Sequence, residues 1–69
     1  MFSYVTVTND GTNVHRLEWY LNNLDMLNEN RSKIKLLVSA LKDHDAVQMN
    51  FEEYVWYKAL LASVVTAEG

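Results

Sequence analysis

Apolar positions through the middle of the chain recur at helical spacing. Leu17, Tyr20, Leu24, Leu27, Arg31, Ile34, Val38 and Leu41 are separated alternately by three and four residues, and only Arg31 interrupts the apolar seam. Two structures fit it. One helix over residues 14–43 would be about 45 Å long at 1.5 Å per residue and would nearly require a second chain to cover it. Two helices broken at NENRS, residues 28–32, fit equally, because Asn28, Asn30 and Ser32 are good caps and poor helix formers. The break is favoured, since a compact domain must fold back over its own apolar face.

The segment before the seam has a period of two. In MFSYVTVT, Phe2, Tyr4, Thr6 and Thr8 fall on one side and Ser3, Val5 and Val7 on the other, which predicts a strand. NDG at residues 9–11 is a turn signal, because Asn and Gly tolerate positive φ. A hairpin returning through TNVHRLEW fits that turn, but the longer helical spacing favours a helix starting near Asn13. A lone strand leaves unpaired backbone groups. It therefore either pairs with a second copy, joins the sheet edge of another protein, or packs on the helices as an extended arm.

The last apolar segment, NFEEYVWYKALLASVV at residues 50–65, has a different pattern. At 100° per residue, Phe51, Tyr54, Val55, Tyr57, Leu60, Leu61, Ala62, Val64 and Val65 cover well over half of a helix circumference. Lys58 lies inside this arc and Trp56 outside it, while Glu52, Ser63 and Thr66 hold the remaining strip. A peripheral helix needs a stripe only somewhat wider than ~100°. This helix is expected to pack on its own domain with one side and on another chain with the other, with Trp56, Tyr57 and Leu60 nearest the outer side. In the polar connector before it, Asp45 with Gln48 and Asn50 with Glu53 have capping-box spacing. The expected fold is mainly α: a small two- or three-helix domain with a short N-terminal β-strand or arm. It forms one domain over residues 1–69, with a strand at about 2–8 and helices at about 14–28, 31–43 and 50–66.

Length and composition sharpen the expectation of a partner. A chain of 69 residues buries only roughly 60% of its unfolded surface and is marginal without reinforcement. Cysteine is absent, which removes disulfides and thiolate metal sites. Apolar residues make up 49% of the chain, ample for a core, so association is the expected reinforcement. The net charge is −3 and the cations Arg16, Arg31, Lys33, Lys35, Lys42 and Lys58 are scattered. That pattern disfavours direct nucleic-acid binding and an anionic membrane surface. A helix-turn-helix reading fails on the same ground, since residues 50–65 carry one Lys and two Glu. No apolar run approaches the ~18 residues of a membrane span and no leader pattern opens the chain, so a soluble cytoplasmic protein is expected.

Chemistry-bearing patterns are weak. The two histidines, His15 and His44, lack converging ligands, and the DHD at 43–45 reads as a solvated loop because neighbouring side chains fan apart. No serine stands in a Gly-flanked nucleophile elbow, no Gly-rich phosphate loop occurs, and adjacent Glu52 and Glu53 do not face each other on a helix. No catalytic residue, cofactor or metal ligand is assigned, and an enzyme is not expected.

The candidate partner-binding residues are Trp19, Met26, Asp43, Asp45, Glu52, Trp56, Tyr57 and Leu60. Trp19 and Met26, seven apart, lie opposite the apolar seam beside His15 and Asn22. They are either a hot spot or a face covered by the strand with Phe2 and Tyr4. Asp43, Asp45, Glu52 and Glu53 fall within eleven residues that contain no Lys or Arg, and capping accounts for Asp45 and Glu53. The sequence thus points to a small acidic regulator or inhibitor, of the kind encoded by phages and mobile elements. Such a protein occludes the working surface of a partner, for which a basic nucleic-acid-binding regulator is the leading candidate. The alternative is a self-associating scaffold module, a homodimer through the heptad seam and the last helix.

Overall fold

The computed structural model describes residues 3–24 and 30–68. The elements, in chain order, are β1 (Val5–Thr8), α1 (Thr12–Asn23), α2 (Arg31–His44), β2 (Ala46–Met49) and α3 (Phe51–Glu68). The molecule is mainly helical with a strand near its N-terminus, as the spacing predicts. The connector expected after α2 is instead a second strand, β2.

β2 runs antiparallel to β1, with Val5 opposite Met49, Thr6 opposite Gln48, Val7 opposite Val47 and Thr8 opposite Ala46. β1 thus finds its partner within its own chain, which corrects the expectation of a lone strand. The register explains why. It puts Val5, Val7, Val47 and Met49 together on the face against the helices, and leaves Thr6, Thr8 and Gln48 exposed. The ribbon extends by one bond beyond the strands, from the Asn9 N–H to the Asp45 carbonyl at 2.9 Å.

Asp45 makes β2 reachable. It terminates α2 in the left-handed conformation, φ 62°, and its N–H donates to the Leu41 carbonyl. The expected Asp45–Gln48 capping box does not form, because Gln48 belongs to β2. The Asn50–Glu53 box does form. The Asn50 N–H donates to Glu53 Oε1 at 3.0 Å, and the Glu53 N–H donates to Asn50 Oδ1 at 2.8 Å.

The heptad seam is divided between two helices that pack against each other. Leu17, Ile34 and Leu41 of the seam are fully buried and Val38 is buried, whereas Leu24 is exposed at the end of α1. Arg31, the one polar seam residue, stands at the start of α2, where its Nη1 donates to the Leu21 carbonyl at 2.6 Å. A cation among the last-turn carbonyls of α1 is favourably placed against the negative end of the helix. The expected reach of the first helix to residue 28 falls largely on residues 25–29, outside the described residues. Leu17 of α1, Ile34 and Leu41 of α2, and Tyr57 and Leu60 of α3 belong to one buried cluster, so all three helices enter one core.

Candidate protein-binding surface

α3 meets the core with Tyr57, Leu60 and Val64, spaced by three and four residues. On the opposite side of the helix, Phe51, Val55, Lys58, Ala62 and Val65 fall within an arc of about 80° at 100° per residue. All five are exposed, Phe51 by 71%. Among them only Lys58 is charged, and its Nζ stands 5.9 Å from the Tyr54 ring centroid. The helix therefore has an apolar face toward the core and an apolar stripe toward solvent.

Two of the candidate residues change sides as a result. Tyr57 is 4% exposed and Leu60 7% exposed, so both belong to the core and neither is available to a partner. Helical periodicity drew one continuous apolar arc, and only the positions of α1 and the strands divide it. Tyr57 is held by a buried amide: Asn13 Nδ2 donates to the Tyr57 hydroxyl at 3.0 Å and to the Thr8 carbonyl at 2.9 Å. Asn13 Oδ1 in turn accepts from the N–H groups of Asp10 and Val14. Burial raises the Tyr57 pKa, the Asn13 bond opposes that rise, and the nearby Asp10 charge adds to it.

Asn13 is the only buried polar residue among those described, and sequence reasoning missed its role. The signal lay in NDGTN. Asp10 Oδ1 accepts from the N–H groups of Thr12 and Asn13, Asn9 Oδ1 accepts from Gly11, and Gly11 takes the left-handed φ of 82° that this turn requires.

Trp56 is half-buried and borders a groove of about 210 Å³ between α2, β2 and α3. Leu36, Leu37 and Ala40 line one wall and Val47 and Met49 another, while Glu53 stands at the rim. Lys33 Nζ lies 4.5 Å from the Trp56 ring centroid, within cation–π range. Leu36 is 72% exposed. It is apolar but off the heptad seam, and that displacement was the overlooked sign of a second face on α2.

Trp19 is half-buried in a hollow of mixed lining with His15, Glu18, Leu21, Asn22, Arg31 and Lys35. No residue of β1 lines that hollow, and Tyr4 is exposed, so among the described residues the strand does not cover Trp19. Met26 and Phe2 lie outside the described residues.

Asp43, Asp45 and Glu52 are exposed, and Glu53 is half-buried in its cap. They do not form one patch. β2 separates them, and the five steps from residue 45 to 50 span about 16 Å at roughly 3.3 Å per residue. One acidic pair therefore sits at each end of β2.

Among the described residues no three His, Asp or Glu side chains gather as metal ligands would. His15 is exposed and 4.0 Å from Glu68, while Lys42 pairs with Glu18 at 2.8 Å on the surface. No described helix is long and apolar enough to cross a membrane. No protein-family profile, curated protein or solved structure matches the chain.

Proposed function

We propose that this chain is a small acidic protein-binding regulator that acts by occluding the working surface of a partner. The observation that carries the reading is the second apolar face of α3, where Phe51, Val55 and Val65 stand exposed opposite the core residues Tyr57, Leu60 and Val64. Folding uses one side of this helix, and an apolar stripe left in water is the kind of surface that association covers. The net charge of −3 and the carboxylates at both ends of β2 favour a basic partner, such as the nucleic-acid-binding face of a regulator. A cytoplasmic setting belongs to the same proposal.

A symmetric homodimer through the same stripe is the second reading, favoured by the length of the stripe along α3. One comparison tests both. The native chain and a Phe51→Lys, Val55→Lys, Val65→Lys variant are each sedimented alone and then used to capture proteins from the source cell. A specific protein held by the native chain and lost by the variant supports the regulator. Concentration-dependent dimerisation that the variant abolishes supports the homodimer. Identical behaviour of the two chains in both experiments overturns the proposal.

A further inference from the structure

The groove beside β2 names the form in which a partner enters. We infer that it docks an extended segment of the partner protein, which adds as a third strand along the free edge of β2. One apolar side chain of that segment seats against Trp56 and Leu36, and basic residues flank it at both ends. The inference rests on the protein-binding reading above and concerns a different face of the molecule from the α3 stripe.

Backbone, apolar lining and charge point the same way. Among the described residues the sheet has two strands, so alternate residues of β2 turn their N–H and C=O groups away from β1. The groove is lined by Val47 and Met49 on the helix-facing side of β2 and by no residue of β1, so it lies on the side of β2 away from β1. A strand added there gains main-chain hydrogen bonds, and every second side chain faces the groove.

Charge then chooses the occupant. Asp43 and Asp45 lie at one end of β2 and Glu52 and Glu53 at the other, with Asp43 sharing the α2 side that carries Leu36 and Ala40. Within the groove itself Lys33, over Trp56, and Glu53 are the two charged lining residues. The hollow along β1 is different. It is bordered by Arg16 and Lys58 with only Asp10 against them, a poor match for a basic segment.

The test is selection of random linear peptides displayed on phage against the immobilised native chain. The expected winners alternate apolar and polar residues between flanking Lys or Arg, and shift the amide resonances of Ala46–Met49. Synthetic copies N-methylated at alternate backbone amides should lose binding in one of the two registers. Leu36→Asp should weaken the winners about tenfold with an unchanged circular-dichroism spectrum, and Asp43→Lys with Glu52→Lys should weaken them most at low salt.

Winners that bind as helices and perturb Phe51, Val55 and Val65 instead would overturn the strand inference and leave the protein-binding reading intact. Equal binding by both N-methylated registers also overturns it. A selection that enriches nothing, together with no difference between the native chain and the lysine variant of the α3 stripe, overturns both.

Discussion

α2 and α3 lie against the same core and both border the groove beside β2, yet they divide their apolar residues differently. α2 buries Ile34, Leu37, Val38 and Leu41 and leaves one large apolar residue, Leu36, in solvent. α3 is longer, buries only Tyr57, Leu60 and Val64, and leaves Phe51, Val55 and Val65 exposed. A one-sided helix is what folding requires. The second side of α3 adds nothing to the core, so substitutions should separate stability from association there and not in the buried face of α2.

The strongest break of that comparison is in α2. Ile34 is fully buried in the core cluster, and Ile34→Ala should cost about 2–5 kcal/mol. In a domain of this size that is a large part of the total stability. Urea denaturation should show the chain substantially unfolded without denaturant, whereas Leu36→Ala should lie within about 0.5 kcal/mol of the native chain.

Asn13→Ala comes next. It strips the Thr8 carbonyl and the Tyr57 hydroxyl of a buried donor, at about 1–3 kcal/mol for the groups left unpaired. Hydrogen exchange at the start of α1 should rise with it. Asn50→Ala, which removes half of the capping box of α3, should cost about 1 kcal/mol, and Asn50→Gly only a few tenths.

The alkaline limb reports on the buried side of α3 through Tyr57. Because the folded Tyr57 pKa is raised above the ordinary 10.0, the folded chain keeps this proton after the unfolded chain has lost it. Stability from this source is complete below pH 10 and declines as pH rises through the higher folded value. Tyr57→Phe should flatten that limb of the melting-temperature profile.

Smallest for stability are Phe51→Ser and Val55→Ser, each within about 0.5 kcal/mol of the native chain. Their effect should appear instead in partner capture. A larger loss of stability would show that the outward side of α3 does take part in folding.

Much of this fold was legible along the chain. The helices, the interruption at Arg31, the turn at NDG and the Asn50–Glu53 box all follow from local spacing and local hydrogen bonding, which the residues concerned decide among themselves. β2 was not legible. AVQM is short, carries one β-branched residue, and becomes a strand only because β1 lies beside it in a register that buries Met49 and partly buries Val47.

The candidate surface divides in the same way. Trp56, Tyr57 and Leu60 are all expected near the outer side of α3, yet Trp56 is half-buried beside the groove and Tyr57 and Leu60 are buried, because an apolar arc has no direction until its neighbours are known. The carboxylates looked like one cluster because proximity along the chain was read as proximity in space, and an intervening extended strand undoes that.

The sequence by itself determined that helices follow a strand, that Asn50 and Glu53 cap α3, that α3 has more apolar surface than one packing face needs, and that the net charge is −3. Those properties depend on periodicity, caps and charge count. The tertiary structure alone decided which side of α3 meets solvent, that β1 closes on β2, and that Asn13 is buried against Tyr57. Each of these requires residues distant in the chain to meet, and burial and strand pairing arise only from such meetings.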